Sequence, residues 1–509
     1  MGLMRFVVIP PERITEETLQ QAYVSGVDRI AWQVDLRMEG GQLVVRRAVS
    51  ESGNLQIPWP VQGRGRLTLS TGSLMEQPRP YQLPLELARG TIGQLSHQLA
   101  EWRIMGLTVP EKVTRGLSEA MRCFGRAAVG EEDLWESAKL AEQAIGVALD
   151  AADLMVASYV DQAAGRHWRL ASGTVGGTGV TPVARWGGGE KPLALLGGNL
   201  GSRLPDQSAA EQFLRCFNAA VVPVCWREIE TDQGNRRWDL CDRQIEWCRA
   251  HALKVCGGPL LQLDPRSLPD WLYLYEDDFD NLCSCVTEFI RAAVTRYRGK
   301  VDYWQSAGRL TSAEILALSE EEKLRLAAGT IELVRSCDGE VPILLSLDQP
   351  WGEYLSHRET DLPPLYFADA LVRAGLDLRG VVLEINLGYH PGGTLARTPL
   401  DFSRQLDHWG LLNLPLFVSL TVPSAADDDP LAQRRVQIAR DSWTAAAQQS
   451  WVARYVPLIL SKPLVQGVFW NQLYDSQPHD FPHGGLFDRQ DRPKPALGSL
   501  AAIRQAHLA

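Results

Sequence analysis

"RGVVLEINL", residues 379–387, is an apolar run of strand length interrupted by one carboxylate. A buried strand tolerates a glutamate only where the charge is paired or used, so Glu384 marks either a strand end or a functional position. Side chains alternate across a strand, which puts Glu384 and Asn386 on the same face. The run before it, "VPILLSLD" (341–348), has the same form and closes on Asp348. Working outward, six further runs follow the pattern: "PLALLGGNL" (192–200), "AAVVPVCW" (219–226), "LKVCGGPLLQL" (253–263), "VDYWQSAG" (301–308), "LPLFVSLTV" (414–422) and "VQGVFWNQL" (465–473). Helix-like stretches separate them. Eight strands alternating with helices predict an α/β fold with a C-terminal (β/α)8 TIM barrel, whose functional groups gather at the C-terminal ends of the strands.

With 509 residues the chain is too long for one ordinary core, and two or three units are expected. Residues 1–80 alternate short strand-like runs (Arg5 to Ile9, Arg29 to Leu36, Leu43 to Val45, Arg66 to Leu69) with turns such as "MEGGQ" and "ESGN". They read as a β-sandwich-like module. From 81 to 171 the period becomes helical: Ile92, Leu95, Leu99 and Trp102 share one face, and Leu134, Ala138, Ala141, Ile145, Leu149 and Ala152 another. The Gly-rich segment 172–191 breaks every periodicity and reads as a linker, and the barrel is expected over 192–509. It does not read as a phosphate loop, because neither a Gly-Lys-Ser/Thr helix opening nor the strand and distant acid of a dinucleotide site accompanies it.

Composition narrows the function classes. The chain is 45% apolar and 22% charged with a net charge of −10, which disfavours nucleic acid as a partner. The start, "MGLMRFVVIPPERITEE", lacks a basic segment leading into an apolar one, and no run approaches the length of a membrane span. A cytoplasmic protein without a membrane partner is the expectation. The nine cysteines fall inside apolar patterns and form no C-x-x-C pair, so reduced core residues are expected; a cluster of Cys241, Cys248 and Cys256 is the metal-binding alternative. No cofactor or metal is called for.

Several stretches together resemble glycoside hydrolase family 10, the xylanase family of the retaining (β/α)8 hydrolases. "FNAAVVPVCWREIETDQGNRRWDLCDRQIEWCRAHALKVCGGPLLQLDPRSLPDWL" (217–272) is similar to that family's second and third strand units, with its F-N, W-x-x-I-E and P-x-W-L frame. "VTRYRGKVDYW" (294–304) resembles the lead-in to its fourth strand. "VFWNQLYDS" (468–476) and "GGLFDRQDRPKPAL" (484–497) resemble its eighth-strand Trp motif and its ending. The resemblance covers roughly the last 320 residues and implies a barrel that acts on or binds a polysaccharide or oligosaccharide.

The departures fall on the chemistry. Where the family carries its acid/base glutamate in W-D-V-V-N-E, this chain has Trp304-Gln305-Ser306-Ala307-Gly308-Arg309; where it carries its nucleophile in T-E-x-D, strand seven reads Val418-Ser419-Leu420-Thr421. Retaining hydrolysis needs two flanking carboxyl groups. Arg309 and Leu420, the residues aligned with the missing pair, provide neither.

What remains at the mouth is Glu384 and Asp348 as candidate catalytic carboxylates, with Trp470, Asn386, Trp304, Arg309, Glu228 and Asp475 as candidate substrate contacts. Trp470 would be a flat platform for a sugar ring, and Glu230 a residue that organises the second loop. His479 and His483 with Asp480 could form a metal site or a plain solvated loop. If Glu384 is an acid or base, the low-dielectric mouth should raise its pKa; if it is the partner of Arg309, its pKa should fall and its role is structural. Two functions stand: a carbohydrate-active barrel that hydrolyses with relocated carboxylates or binds without turnover, and a non-catalytic scaffold or interaction protein.

Overall fold

The computed structural model describes residues 2–48, 50–130, 133–171, 194–358, 362–434, 436–438 and 443–508, with side chains of 164–171 excepted. The Gly-rich stretch 172–191 lies outside the described residues. The chain divides into two compact units: Met1–Leu193 with Leu355–Glu359 and Leu395–Leu406, and Ala194–Tyr354 with Thr360–Thr394 and Asp407–Ala509.

The first unit holds two four-stranded sheets and three long helices. In one sheet, Val34–Glu39 and Gln42–Arg47 form a hairpin in which Glu39 pairs with Gln42. The two loop residues are Gly40 and Gly41, both at positive φ, which is the backbone that a two-residue hairpin turn requires. The second sheet contains Asn54–Val61, a strand that carries Pro58 and Pro60 and is not among the runs expected from sequence. Its register explains the tolerance. Tyr23–Ser25 pairs only with residues 54–56, so the two prolines lie where the strand has a neighbour on one side alone and no ladder donor is missed. The helices Leu83–Ile104, Glu111–Val129 and Leu134–Ala171 bury the expected stripes: Leu95, Ala141 and Ile145 are almost fully enclosed. Leu134 is the exception. It stands exposed in the first helical turn rather than on the buried face.

The second unit is a closed barrel of eight parallel strands in chain order, in which Val465–Trp470 pairs back onto Leu195–Asn199. Between them come Ala219–Val222, Lys254–Gly257, Tyr303–Gln305, Ile343–Asp348, Gly380–Asn386 and Leu416–Thr421. All eight fall within the apolar runs. Strands five and six are buried at every residue, as strands covered on both faces must be.

The alternation then divides the barrel interior along its axis. One layer is apolar, made by Leu195, Val221, Cys256, Leu344, Val382, Phe417 and Phe469 among others. Two residues further along, the same faces carry Ser346, Glu384 and Ser419, and two further again Asp348, Asn386 and Thr421. Polarity therefore rises toward the C-terminal ends. Capping side chains start the surrounding helices, as Ser319 and Glu322 do in a reciprocal box before Glu320–Cys337.

The barrel wall has little slack. A Cβ placed on Gly257 would meet the Trp304 ring at 2.6 Å, and Trp304 is completely enclosed. Gly257→Ala should therefore lower stability by about 1–3 kcal/mol, read as a reduced urea midpoint with an unchanged slope.

Candidate functional site

Arg309 follows the short segment Ala307–Gly308, which pairs with Leu261–Gln262 beyond the ends of strands three and four. Its backbone takes φ +56°, a left-handed conformation that residues other than glycine seldom adopt. That turn delivers the guanidinium into the barrel mouth, where the residue is only 4% exposed.

The guanidinium is surrounded by acids. Nη2 lies 2.5 Å from Glu384 Oε1, and Nε donates to Oε2 at 3.1 Å, giving a two-pronged pair. Nη1 donates to Asp264 Oδ2 at 2.7 Å, and Nη2 also lies 2.7 Å from Asp480 Oδ2. Asp264 binds a second cation, Arg434, and Asp480 binds Arg266, which also donates to Gln433. Three guanidinium groups and three carboxylates thus alternate in one cluster, and their charges cancel. Glu384 Oε1 further accepts from Asn386 Nδ2 at 2.9 Å and from Asn471 Nδ2 at 3.4 Å.

This geometry fixes protonation. Burial alone would raise the Glu384 pKa, but the adjacent Arg309 charge, its hydrogen bonds and that of Asn386 outweigh burial, and the carboxyl is held below its ordinary range. The shift runs in the direction expected of a partner of Arg309 and not upward. Burial works against ionisation of Asp264 as well, yet Arg309 and Arg434 bring it down to about 2. For Arg309 burial is again overcome, by Glu384 and Asp264, and its pKa moves up.

Asp348 sits beside Glu384 in strand register but outside the cluster. It accepts from Ser312 Oγ at 2.6 Å and from Gln349 Nε2 at 3.2 Å, while Oδ1 has no partner among the described residues. Burial, and then the negative charge of Glu384, push its pKa up. Strand seven faces Glu384 through Ser419. The two pair in register, and Ser419, not Leu420, lines the open mouth.

The remaining candidates divide into engaged and open groups. Asp475 is 2% exposed and bound by Lys494, by Gln472 and by the Gly485 backbone N–H. Glu230 accepts from Trp226 Nε1, the Gly234 N–H and Arg236 Nε, tying the second loop together. Trp470 is 2% exposed and its indole N–H donates to the Gly484 carbonyl at 2.9 Å; Trp304 is buried against Gly257. His479 and His483 gather around Asp429 rather than Asp480, with His479 Nε2 3.0 Å from Asp429 Oδ2. Cys241, Cys248 and Cys256 are buried thiols whose pKa burial raises to about 12.

Above the cluster lies a cavity of about 220 Å³. Asn199, Gln262, Asn471, Tyr474 and Glu228 line it, together with Arg266, Arg309 and Glu384 of the cluster. Two members of the cluster could be anticipated only partly from sequence. Asp264 closes a buried run as Asp348 does, whereas Arg434 lies in the long loop after strand seven with nothing local to mark it.

No protein-family model matches the sequence. Among solved structures, the chain is similar to native xylanase 10B from Thermotoga maritima, at 14% identity over 62% of this chain and 96% of that one, with a TM-score of 0.47. It is similar in the same way to xylanase 10B from Thermotoga petrophila RKU-1 in complex with xylobiose, at 14% identity over 66% of this chain and 100% of that one, with a TM-score of 0.47. A family 10 structure from Paenibacillus barcinonensis matches at 15% identity over 62% and 96% of the two chains, also with a TM-score of 0.47.

The two central carboxylates should respond oppositely to neutralisation. Glu384→Gln leaves Arg309 without its main counter-charge and should cost about 3–5 kcal/mol in denaturant unfolding. Asp348→Asn removes a buried charge that its surroundings disfavour and should leave stability unchanged or higher. Acid titration gives a further check. Asp264 has a folded pKa of about 2 against an ordinary 3.8, so its stabilisation is complete above the ordinary value and is lost as pH falls from there toward about 2. Unfolding midpoints recorded across that window should decline, and more shallowly in Asp264→Asn.

Proposed function

We propose that this barrel binds a saccharide at its C-terminal mouth and does not hydrolyse it. The observation that carries the reading is Arg309: the position aligned with an acid/base glutamate holds a cation, and that cation occupies both oxygens of the nearest candidate carboxylate. A glutamate held ionised is a poor proton donor near neutral pH, and one wrapped by a guanidinium is a poor nucleophile. Retaining cleavage calls for two free carboxyl groups about 5–5.5 Å apart, and Glu384 is not free. Binding is supported by the hydrogen-bonding lining of the cavity, in which amide and carboxylate groups accompany the charge-matched arginine cluster. Its volume, below the roughly 300–1,000 Å³ of drug-sized pockets, suits a short segment of a glycan. The motifs shared with family 10 support saccharide as the ligand class.

A second reading, a scaffold without a ligand, is favoured by one observation: Trp304 is enclosed away from the cavity, and Trp470, which lines it, leaves only 2% of its surface exposed.

Turnover and binding separate the possibilities. The purified protein should release no aryl leaving group from an aryl xylobioside and no reducing ends from xylan. Calorimetric titration with a panel of short oligosaccharides should give saturable heat for at least one. Gln262→Ala should weaken that ligand by about three- to tenfold, the worth of one lost hydrogen bond. A panel with no binder would leave the scaffold reading standing, and ordinary turnover of xylobioside would remove both.

A further inference from the structure

We propose that the mouth selects a saccharide carrying a free ammonium group, an amino sugar, and that Glu228 is the residue that selects it. The inference rests on the saccharide-binding reading and goes beyond it to ligand class.

Three observations meet at Glu228. It lies on the short helix Trp226–Ile229 that follows strand two, and it is an exposed residue in the lining of the cavity. Among the described residues no group donates a hydrogen bond to its carboxylate. The other charges of the lining are already matched: Arg309 by Glu384, Asp264 and Asp480, and Arg266 by Asp480. Glu228 is the carboxylate of the wall left over when those pairs are drawn.

Ligand chemistry follows from desolvation. The surrounding protein already disfavours the charged form of Glu228, with Arg266 opposing that effect through space. A ligand that enters the cavity displaces the water that now solvates the carboxylate. A neutral sugar returns one or two hydroxyl hydrogen bonds but no charge, and a uronic acid adds a second negative charge beside the first. An ammonium returns both the hydrogen bond and the counter-charge. A site whose polar group loses its water to the bound ligand discriminates against ligands that leave that group unmatched, which makes the ratio of affinities the quantity to measure.

The test uses the full chain and four trisaccharides on one ring and linkage: glucosamine, N-acetylglucosamine, glucose and glucuronic acid, titrated calorimetrically at a pH where the amine is protonated. Glucosamine trisaccharide should bind at least tenfold tighter than the glucose and N-acetylglucosamine forms, and in Glu228→Gln the ratio should collapse toward one. Because the Glu228 carboxylate accepts no hydrogen bond among the described residues and its backbone N–H bond to Cys225 O is kept on substitution, the variant should unfold at the same urea concentration as the parent, which separates lost selection from lost folding. Equal affinities for amino and neutral forms, a preference for the uronic acid, or a preference that persists in Glu228→Gln would each overturn the assignment while leaving saccharide binding intact. No binding by any of the four, with none across the wider oligosaccharide panel, would overturn the binding reading and this inference together.

Discussion

Placing a guanidinium inside a barrel is costly unless acids come with it, and the mouth of this protein is arranged around that requirement. Removing Arg309 from water is opposed by several kcal/mol of lost solvation, which one carboxylate seldom offsets. Here three approach it, and two of those hold a further arginine each. The side chains come from the ends of strands three and six and from the loops after strands seven and eight. The polar groups around it are therefore constrained by charge balance first and by ligand chemistry second.

The same balance explains why like residues behave differently. Glu384 and Asp348 are neighbours in register on adjacent buried strands, yet one is held ionised and the other is pushed toward its neutral form. Arg309 faces the first directly and acts on the second only from further away. Active sites that run acid and base chemistry together use such a contrast to separate a proton donor from a charged partner. Here the ionised member is consumed by the arginine, and the protonatable member lies outside the open cavity lining.

Much of the fold was legible because barrel strands are apolar on both faces, so each appears as a compact run between helical stretches. The strand Asn54–Val61 was hidden for the opposite reason: its two prolines are acceptable only because of which neighbour it lacks, a fact of sheet order that no local pattern carries. In the site, the inward direction of Glu384 and Asn386 followed from alternation, and the pair with Arg309 could be posed as an alternative. Whether burial or the arginine prevails over the Glu384 carboxyl is a matter of distance, and distance is not written in the sequence. Arg434 had no local signal because its role depends on a partner in a different loop.

The separations within the arginine cluster have a bearing on how the chain acquires its structure. Arg309 is 45 residues from Asp264 and 75 from Glu384, while Arg434 and Asp264 are 170 apart. None of these contacts can form by local search, and each needs loops of that length to be closed first. A barrel whose eighth strand is misplaced would lack Asp480 at the mouth, leaving Arg266 without its acid and Arg309 with two carboxylates instead of three. The neutral cluster is then also a seal whose completion coincides with barrel closure, so that chains with a misplaced final strand are the ones left carrying unmatched charge.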